Sequence, residues 1–239
     1  VSGLTNADLT WETTSSYDAG LDFALFNSRV SGTVDVYSKE TNNLLINKNI
    51  PLSTGFGSVI LNQGSLSNKG VELSLNGDVV KNKNFTFSLG GNISFNTPKI
   101  IKLGLPEGQF GDTTYVGYLG NTLGDHYGVG NIFIQGKAPG LFWGYKTDGI
   151  YQTGDNITIT KDLNNAVPVP GAIKFVDQNG DNIIDSKDLT IIGNPNPKFT
   201  YGFNASFEYK GFSLNAYFNG VYGNQILNAN LRDQATPSK

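Results

Sequence analysis

The densest group of side chains capable of chemistry in this 239-residue chain is Asp177-Gln178-Asn179-Gly180-Asp181-Asn182-Ile183-Ile184-Asp185-Ser186-Lys187-Asp188. Asp177, Asn179, Asp181, Asp185 and Asp188 fall at positions 1, 3, 5, 9 and 12 of a twelve-residue loop, and the Ile183 carbonyl sits at position 7. That is the oxygen spacing of an EF-hand-type calcium loop, with Asp in place of Glu at position 12. Crowded hard oxygen donors suit Ca²⁺, and like charges this close repel one another without a cation. Asn182 stands where such a loop has glycine, and asparagine tolerates the left-handed conformation better than most residues. The same letters also describe an Asx-rich surface turn that needs no metal, with Asp185 and Asp188 capping a short helical turn through Thr190 that Gly193, Pro195 and Pro197 would end.

Other chemistry is thin. His126 is the single histidine, so it cannot build a His-based metal site, and nothing marks a nucleophile beside it. Gly128-Val129-Gly130 lacks the third glycine and the preceding strand of a dinucleotide fingerprint. No two carboxylates are set out as an acid–base pair, so the chain does not read as an enzyme. Asn84, Asn92 and Asn204 stand in N-x-Ser/Thr sequences, but within or beside strand patterns. Tyr115, Tyr118, Tyr127, Phe142, Trp143, Tyr145 and Tyr151 offer rings for stacking on sugars; of these Phe142, Trp143 and Tyr145 are the candidate substrate contacts. They serve equally well as the core of a small folded loop.

The elements that would carry these residues show a period of two. Phe199, Tyr201, Phe203, Ala205, Phe207 and Tyr209 alternate with Thr200, Gly202, Asn204, Ser206 and Glu208. After Lys210-Gly211, Phe212, Leu214, Ala216 and Phe218 alternate with Ser213, Asn215, Tyr217 and Asn219. The same pattern occupies Ala19–Leu25, Val30–Lys39, Val71–Val79 and Phe85–Asn96, with tight turns at Asn27-Ser28 and at Lys81–Asn84. The expected barrel-type strands therefore cover about 14–40, 69–96 and 199–222. A long connection is expected over Thr41–Asn68, and a folded excursion over 97–198 that contains the acidic loop.

Short turns thus alternate with long connections, which places all turns at one end of an up-and-down sheet and all long loops at the other. Outer-membrane barrels have this asymmetry, with apolar residues toward lipid and polar ones toward a wet lumen. The strand lengths agree with the ~9–11 residues needed to span at a tilt near 45°. Composition points the same way: charged residues are 15% of the chain and glycines number 30, in place of the roughly 25% charge of soluble domains. There is no basic run, which argues against nucleic acid. Cysteine is absent, which excludes thiolate sites and disulfides. Methionine is also absent, so the expectation is a processed or excised chain, with too few strands to close a barrel alone. No apolar run reaches the ~20 residues of a membrane helix.

With these segments in view, the chain resembles the C-terminal half of the barrel of SusC/RagA-type TonB-dependent outer-membrane transporters of Bacteroidetes. The resemblance is carried by Leu9-Thr10-Trp11-Glu12, Gly20-Leu21-Asp22-Phe23, Asp35-Val36-Tyr37-Ser38-Lys39, Asn62-Gln63-Gly64, Asn68-Lys69-Gly70-Val71-Glu72, Gly144-Tyr145-Lys146-Thr147-Asp148-Gly149-Ile150 and Ile192-Gly193-Asn194-Pro195-Asn196-Pro197, in that order. It implies an all-β antiparallel segment of a large transmembrane barrel with long extracellular loops, in the outer membrane of a Gram-negative bacterium. It further implies a SusD-like surface lipoprotein as lid, a TonB complex acting through an N-terminal region not contained in these residues, contact with outer-membrane lipid, and import of oligosaccharides or peptides. Two rivals remain at this point. One is a soluble secreted β-rich carbohydrate-binding or adhesive module with a calcium loop; the other is a structural outer-membrane protein without transport. The rivals differ in where Phe87, Phe203 and Phe207 point: into a second sheet, or outward in a belt.

Overall fold

The computed structural model describes residues 4–103 and 130–228. His126 and the rings of Tyr115, Tyr118 and Tyr127 lie outside the described residues. The chain forms two compact units, one of Val1–Leu105, Gln135–Ala138 and Pro197–Asn224, the other of Pro106–Ile134, Pro139–Asn196 and Gln225–Lys239.

The first unit is a six-stranded antiparallel sheet of β1 (Thr13–Leu25), β2 (Val30–Asn49), β3 (Ser58–Lys81), β4 (Phe85–Lys102), β10 (Phe199–Tyr209) and β11 (Phe212–Tyr222), in that spatial order. Sequence neighbours pair throughout, except that β4 meets β10 across the excursion. The three tight turns share one end. At Lys210-Gly211 both residues have positive φ, 46° and 88°, as a two-residue hairpin turn requires. At the first turn Phe26, Asn27 and Ser28 are all left-handed, and the Arg29 guanidinium donates to the carbonyls of Asp78 and Val79 on β3 at 3.2 and 3.1 Å. The Asn82 side chain accepts from the Asn84 and Phe85 N–H groups and closes the third.

The connection expected over Thr41–Asn68 is instead mostly strand. β2 runs 20 residues and β3 runs 24, leaving only Ile50–Gly57 between them. The pairing absorbs irregularities at Asn42/Leu44 and Leu44/Leu45, with Asn43 at φ 59°. Such a bulge breaks the alternation that marks a strand in sequence. The segment before β1 is strapped to this ribbon: the Leu4 N–H donates to the Ser58 carbonyl, the Asn62 amide bonds the Thr10 backbone at both N–H and C=O, and the Glu12 carboxylate accepts the Leu45 N–H.

The register puts each apolar residue beside others of its kind. One row reads Leu21, Val34, Leu73, Ile93, Tyr201, Gly220; the next reads Phe23, Gly32, Leu75, Gly91, Phe203, Phe218. Glycines in these rows make room for rings, since a Cβ on Gly32 would meet Phe23 and one on Gly220 would meet Tyr201. Phe87 and Phe207 stack with ring centroids 4.3 Å apart, but within this one face. Among the described residues the unit holds no second sheet to cover it. Leu21 and Leu214 are each 65% exposed and Phe218 is 60% exposed.

The second unit has its own core. β5 (Gly130–Ile132), β6 (Leu141–Tyr145) and β9 (Leu189–Gly193) form one small sheet, and β7 (Thr147–Ile150) with β8 (Ile173–Phe175) another. Ile132, Leu141, Tyr151, Ile159 and Ile184 are buried. Over its described residues, from Gly130 on, the expected excursion is folded.

Candidate functional site

Two surfaces concentrate the chain's polar side chains: the polar face of the six-stranded sheet and the acidic loop of the second unit. On the sheet, the rows opposite the apolar ones read Asp22, Thr33, Ser74, Asn92, Gly202, Asn219 and Gly20, Asp35, Glu72, Ser94, Thr200, Val221. The period of two sends these to the other side as surely as it collects the hydrophobes. They are bonded across strands: Thr33 and Ser74 hydroxyls at 2.8 Å, the Ser94 hydroxyl to Glu72 at 3.2 Å, and the Tyr37 hydroxyl to the Asn96 side-chain oxygen at 2.9 Å. The Tyr37 ring lies over Gly70, where any Cβ would strike it. Tyr37, Glu72, Ser94, Asn96 and Thr200, together with Pro197 and Phe199, border a recess of about 240 Å³, so hydroxyl, amide and carboxylate groups share its lining with apolar surface. It can hydrogen-bond hydroxyls or amides of a polar ligand, and it contains no nucleophile or acid–base pair.

The acidic loop closes on its own backbone. The two Asp177 oxygens accept the Gly180 and Asn182 N–H groups, both at 2.7 Å. Asn179 donates its amide to Asp181 at 2.9 Å, and Asp181 accepts the Ile183 N–H. Asn182 has φ 62°, the left-handed conformation expected where the calcium-type loop has glycine. Asp177, Asn179 and Asp181 are therefore together. Asp185 and Asp188 are turned elsewhere, capping the one-turn 3-10 helix Ser186–Asp188 in a reciprocal capping box. Asp188 is fully buried and accepts the Gln178 and Asp185 N–H groups, each at 2.8 Å. The helical turn passes directly into β9 at Leu189. Among the described residues no three acidic or histidine groups converge as a metal cage.

Burial pushes the Asp177 carboxyl up, but the N–H groups of Asn182, Gly180, Asp181 and Asn179 outweigh it and hold the group below the usual carboxylate range. Burial, then the charges of Asp185 and Asp188, raise the Tyr145 phenol. The candidate stacking residues lie in β6. Phe142 covers Gly193, Tyr145 meets Phe175 edge-on at 5.7 Å, and Trp143 pairs with Gly130 and Ile191. All three are half-buried in the small sheet, and they do not line the recess on the polar face.

Comparison with known proteins decides what the sheet belongs to. Residues 2–238 match the family described as TonB dependent receptor-like, beta-barrel. The chain belongs to that family. It is similar to TonB-dependent receptor P3 of Formosa agariphila, 37% identical over 226 residues that make 95% of this chain and 22% of the relative. It is also similar to TonB-dependent receptor SusC of Bacteroides thetaiotaomicron, 32% identical over 237 residues, 98% of this chain and 22% of the relative. Among solved structures, the RagAB peptide importer in its 'open-open' state matches with TM-score 0.69 and 30% identity, over 93% of this chain and 22% of that one. The chain thus spans only about a fifth of the length of these relatives.

Membership makes this an antiparallel piece of a TonB-dependent receptor barrel, in the outer membrane, with one apolar and one polar face. From Tyr209 to Phe199 the apolar face runs ten residues along β10, which at ~3.4 Å per residue and a tilt near 45° is about 24 Å of height. That equals the ~25 Å apolar band of such barrels. Sequence reasoning found both faces but missed the β2–β3 ribbon and its strap. Asn62 carried the available signal, a polar residue between Leu61 and Gln63 in a stretch without charge.

Proposed function

We propose that the chain forms part of the wall of a TonB-dependent importer that takes up oligosaccharides or peptides with a SusD-like surface lipoprotein as its lid. The carrying observation is the six-stranded meander with one continuous apolar face about 24 Å tall and one polar face. A soluble binding module would need a second sheet over the first face. The wall does no bond chemistry. It supplies the lipid seal, a lumen surface whose hydroxyls, amides and carboxylates exchange hydrogen bonds with a passing polar solute, and loops that meet substrate and lid. The chain's similarity to both SusC and the RagAB peptide importer is the reason for naming two substrate classes. The test is uptake of labelled oligosaccharides and peptides by cells lacking the full-length receptor. Loss of one class, restored by the intact gene, is expected. Unchanged uptake of both, with the receptor recovered in the soluble fraction, overturns the reading.

We also propose that Asp177, Asn179, Asp181 and the Ile183 carbonyl hold Ca²⁺, which the all-oxygen donor set and the left-handed Asn182 support. Bound calcium would neutralise the paired carboxylates and stiffen the turn. In the full-length receptor, amide exchange across 177–193 should slow when calcium replaces chelator, and should not respond in Asp177→Ala/Asp181→Ala. Identical exchange of the wild type in calcium and in chelator refutes it.

A further inference from the structure

The recess on the polar face is a compact, two-row cluster of hydrogen-bonding groups. Glu72, Ser94 and Thr200 stand side by side on β3, β4 and β10, at the ~4.8 Å spacing of neighbouring strands. In the next row, further from the tight turns, Asn96 follows Ser94 on β4. Tyr37 reaches it from β2 by lying across Gly70 on β3. Two bonds fix the cluster from within, Ser94 to one Glu72 oxygen and Tyr37 to the Asn96 side-chain oxygen. The second Glu72 oxygen, the Asn96 amide N–H groups and the Thr200 hydroxyl keep no protein partner among the described residues. Glu72, Asn96 and Thr200 are exposed, so these free donors and acceptors open on the polar side of the wall.

Of the charged residues only Glu72 lines the recess. Asp18 and Asp35 on one side, with Lys39 and Lys198 on the other, surround it in both signs. The Lys39 ammonium lies 5.5 Å from the Tyr37 ring centroid. An occupant is therefore chosen by hydrogen bonding rather than by charge. A pyranose carries hydroxyls that donate and accept, set around a ring, as the free groups here are set over two rows and several strands. An extended peptide carries its N–H and C=O groups along a line, and a single strand edge would suit it better. At about 240 Å³ the recess is smaller than the ~300–1,000 Å³ of sites for drug-sized ligands, and suits one ring rather than a chain. We infer that this recess is a subsite for one neutral sugar unit of an oligosaccharide. Adjacent hydroxyls of the sugar bond Glu72 and the Asn96 amide, and Thr200 bonds a third. The inference rests on the importer reading given above, and chooses the oligosaccharide over the peptide for this stretch of wall.

The test uses cells whose only copy of the full-length receptor is the wild type or a variant, supplied with labelled short neutral oligosaccharides or labelled short peptides. Glu72→Ala/Asn96→Ala should raise the concentration for half-maximal oligosaccharide uptake about tenfold, as loss of hydrogen bonds to a carboxylate and an amide implies. The maximal rate should be kept. Glu72→Gln, which retains an acceptor, should raise that concentration less. Heat-modifiable gel mobility reports whether each variant is folded. An unchanged half-maximal concentration in the folded alanine variant overturns the assignment and leaves the importer reading standing. So does a rise at least as large for peptides, and so does a wild type that takes up peptides alone. Oligosaccharide and peptide uptake that both persist after deletion of the receptor gene overturn the importer reading itself, and the subsite with it.

Discussion

Removing the Asp188 carboxylate would strand the Gln178 and Asp185 N–H groups, which donate to it where no water reaches. Each buried donor left unbonded costs about 1–3 kcal/mol, so Asp188→Ala should destabilise the second unit by roughly 2–6 kcal/mol. Asp188→Asn, which keeps one acceptor, should cost less. Faster amide exchange across 177–193 checks this, and an alanine variant as protected as wild type contradicts it. Asp177 adds a pH dependence. Its folded carboxyl titrates below the ordinary value of 3.8, so its contribution is complete above that value and fades as pH falls through the lower, folded one. Tyr145 works in the opposite sense: its phenol is raised above 10.0, so its contribution holds below that and is lost as pH climbs through the folded value. Loop protection factors, which take out the intrinsic pH dependence of amide exchange, should thus be flat from about pH 5 to about pH 9 and fall outside both ends. Asp177→Asn should remove only the acid arm. The turn was legible in the sequence because asparagine, aspartate and glycine dictate Asx geometry locally. The capping work of Asp185 and Asp188 was legible too, as the alternative to a calcium loop; the burial of Asp188 beside β9 was not, since only packing decides it.

Single substitutions on the strands should obey the two faces. Phe203 stands in an apolar row and Asn92 in a polar one. A lysine at position 203 would sit near the middle of the apolar band, at a cost of about 2–4 kcal/mol. Asn92→Lys, facing the lumen, should change stability by less than about 0.5 kcal/mol. Denaturant unfolding of the full-length receptor in lipid vesicles measures both, and equal effects would mean that the faces are wrongly assigned. This contrast was readable from the letters, because a belt that must face lipid over its full height imposes strict alternation. Beyond the belt no such force acts. Thr41–Asn49 and Ser58–Asn68 keep their strand form through pairing with each other and through the strap of Asn6, Thr10 and Glu12, and partners distant in sequence leave no periodic mark.

At the scale of the molecule the strand order fixes a topology that cells can report. The tight turns at Phe26–Arg29, Asn82–Asn84 and Lys210-Gly211 share one end of the sheet, while the β2–β3 tip and the excursion between β4 and β10 leave from the other. In receptors of this architecture short turns face the periplasm and long loops the outside. These 239 residues contain no cysteine, so single cysteines can be placed without background from this region. In the full-length receptor, Thr54→Cys at the β2–β3 tip and Asn156→Cys in the excursion should react with a membrane-impermeant maleimide on intact cells. Lys83→Cys at the third turn should react only after the outer membrane is permeabilised. All three positions are exposed, so burial cannot mimic the pattern. Labelling of Lys83→Cys alone on intact cells would invert the barrel. Labelling of all three would remove the sheet from the membrane. The expected pattern instead puts the polar recess at Tyr37 and Glu72 toward the outer end of the apolar band, because Glu72 shares its row with Ser94 and Thr200, beside Phe199, where the band ends away from the tight turns.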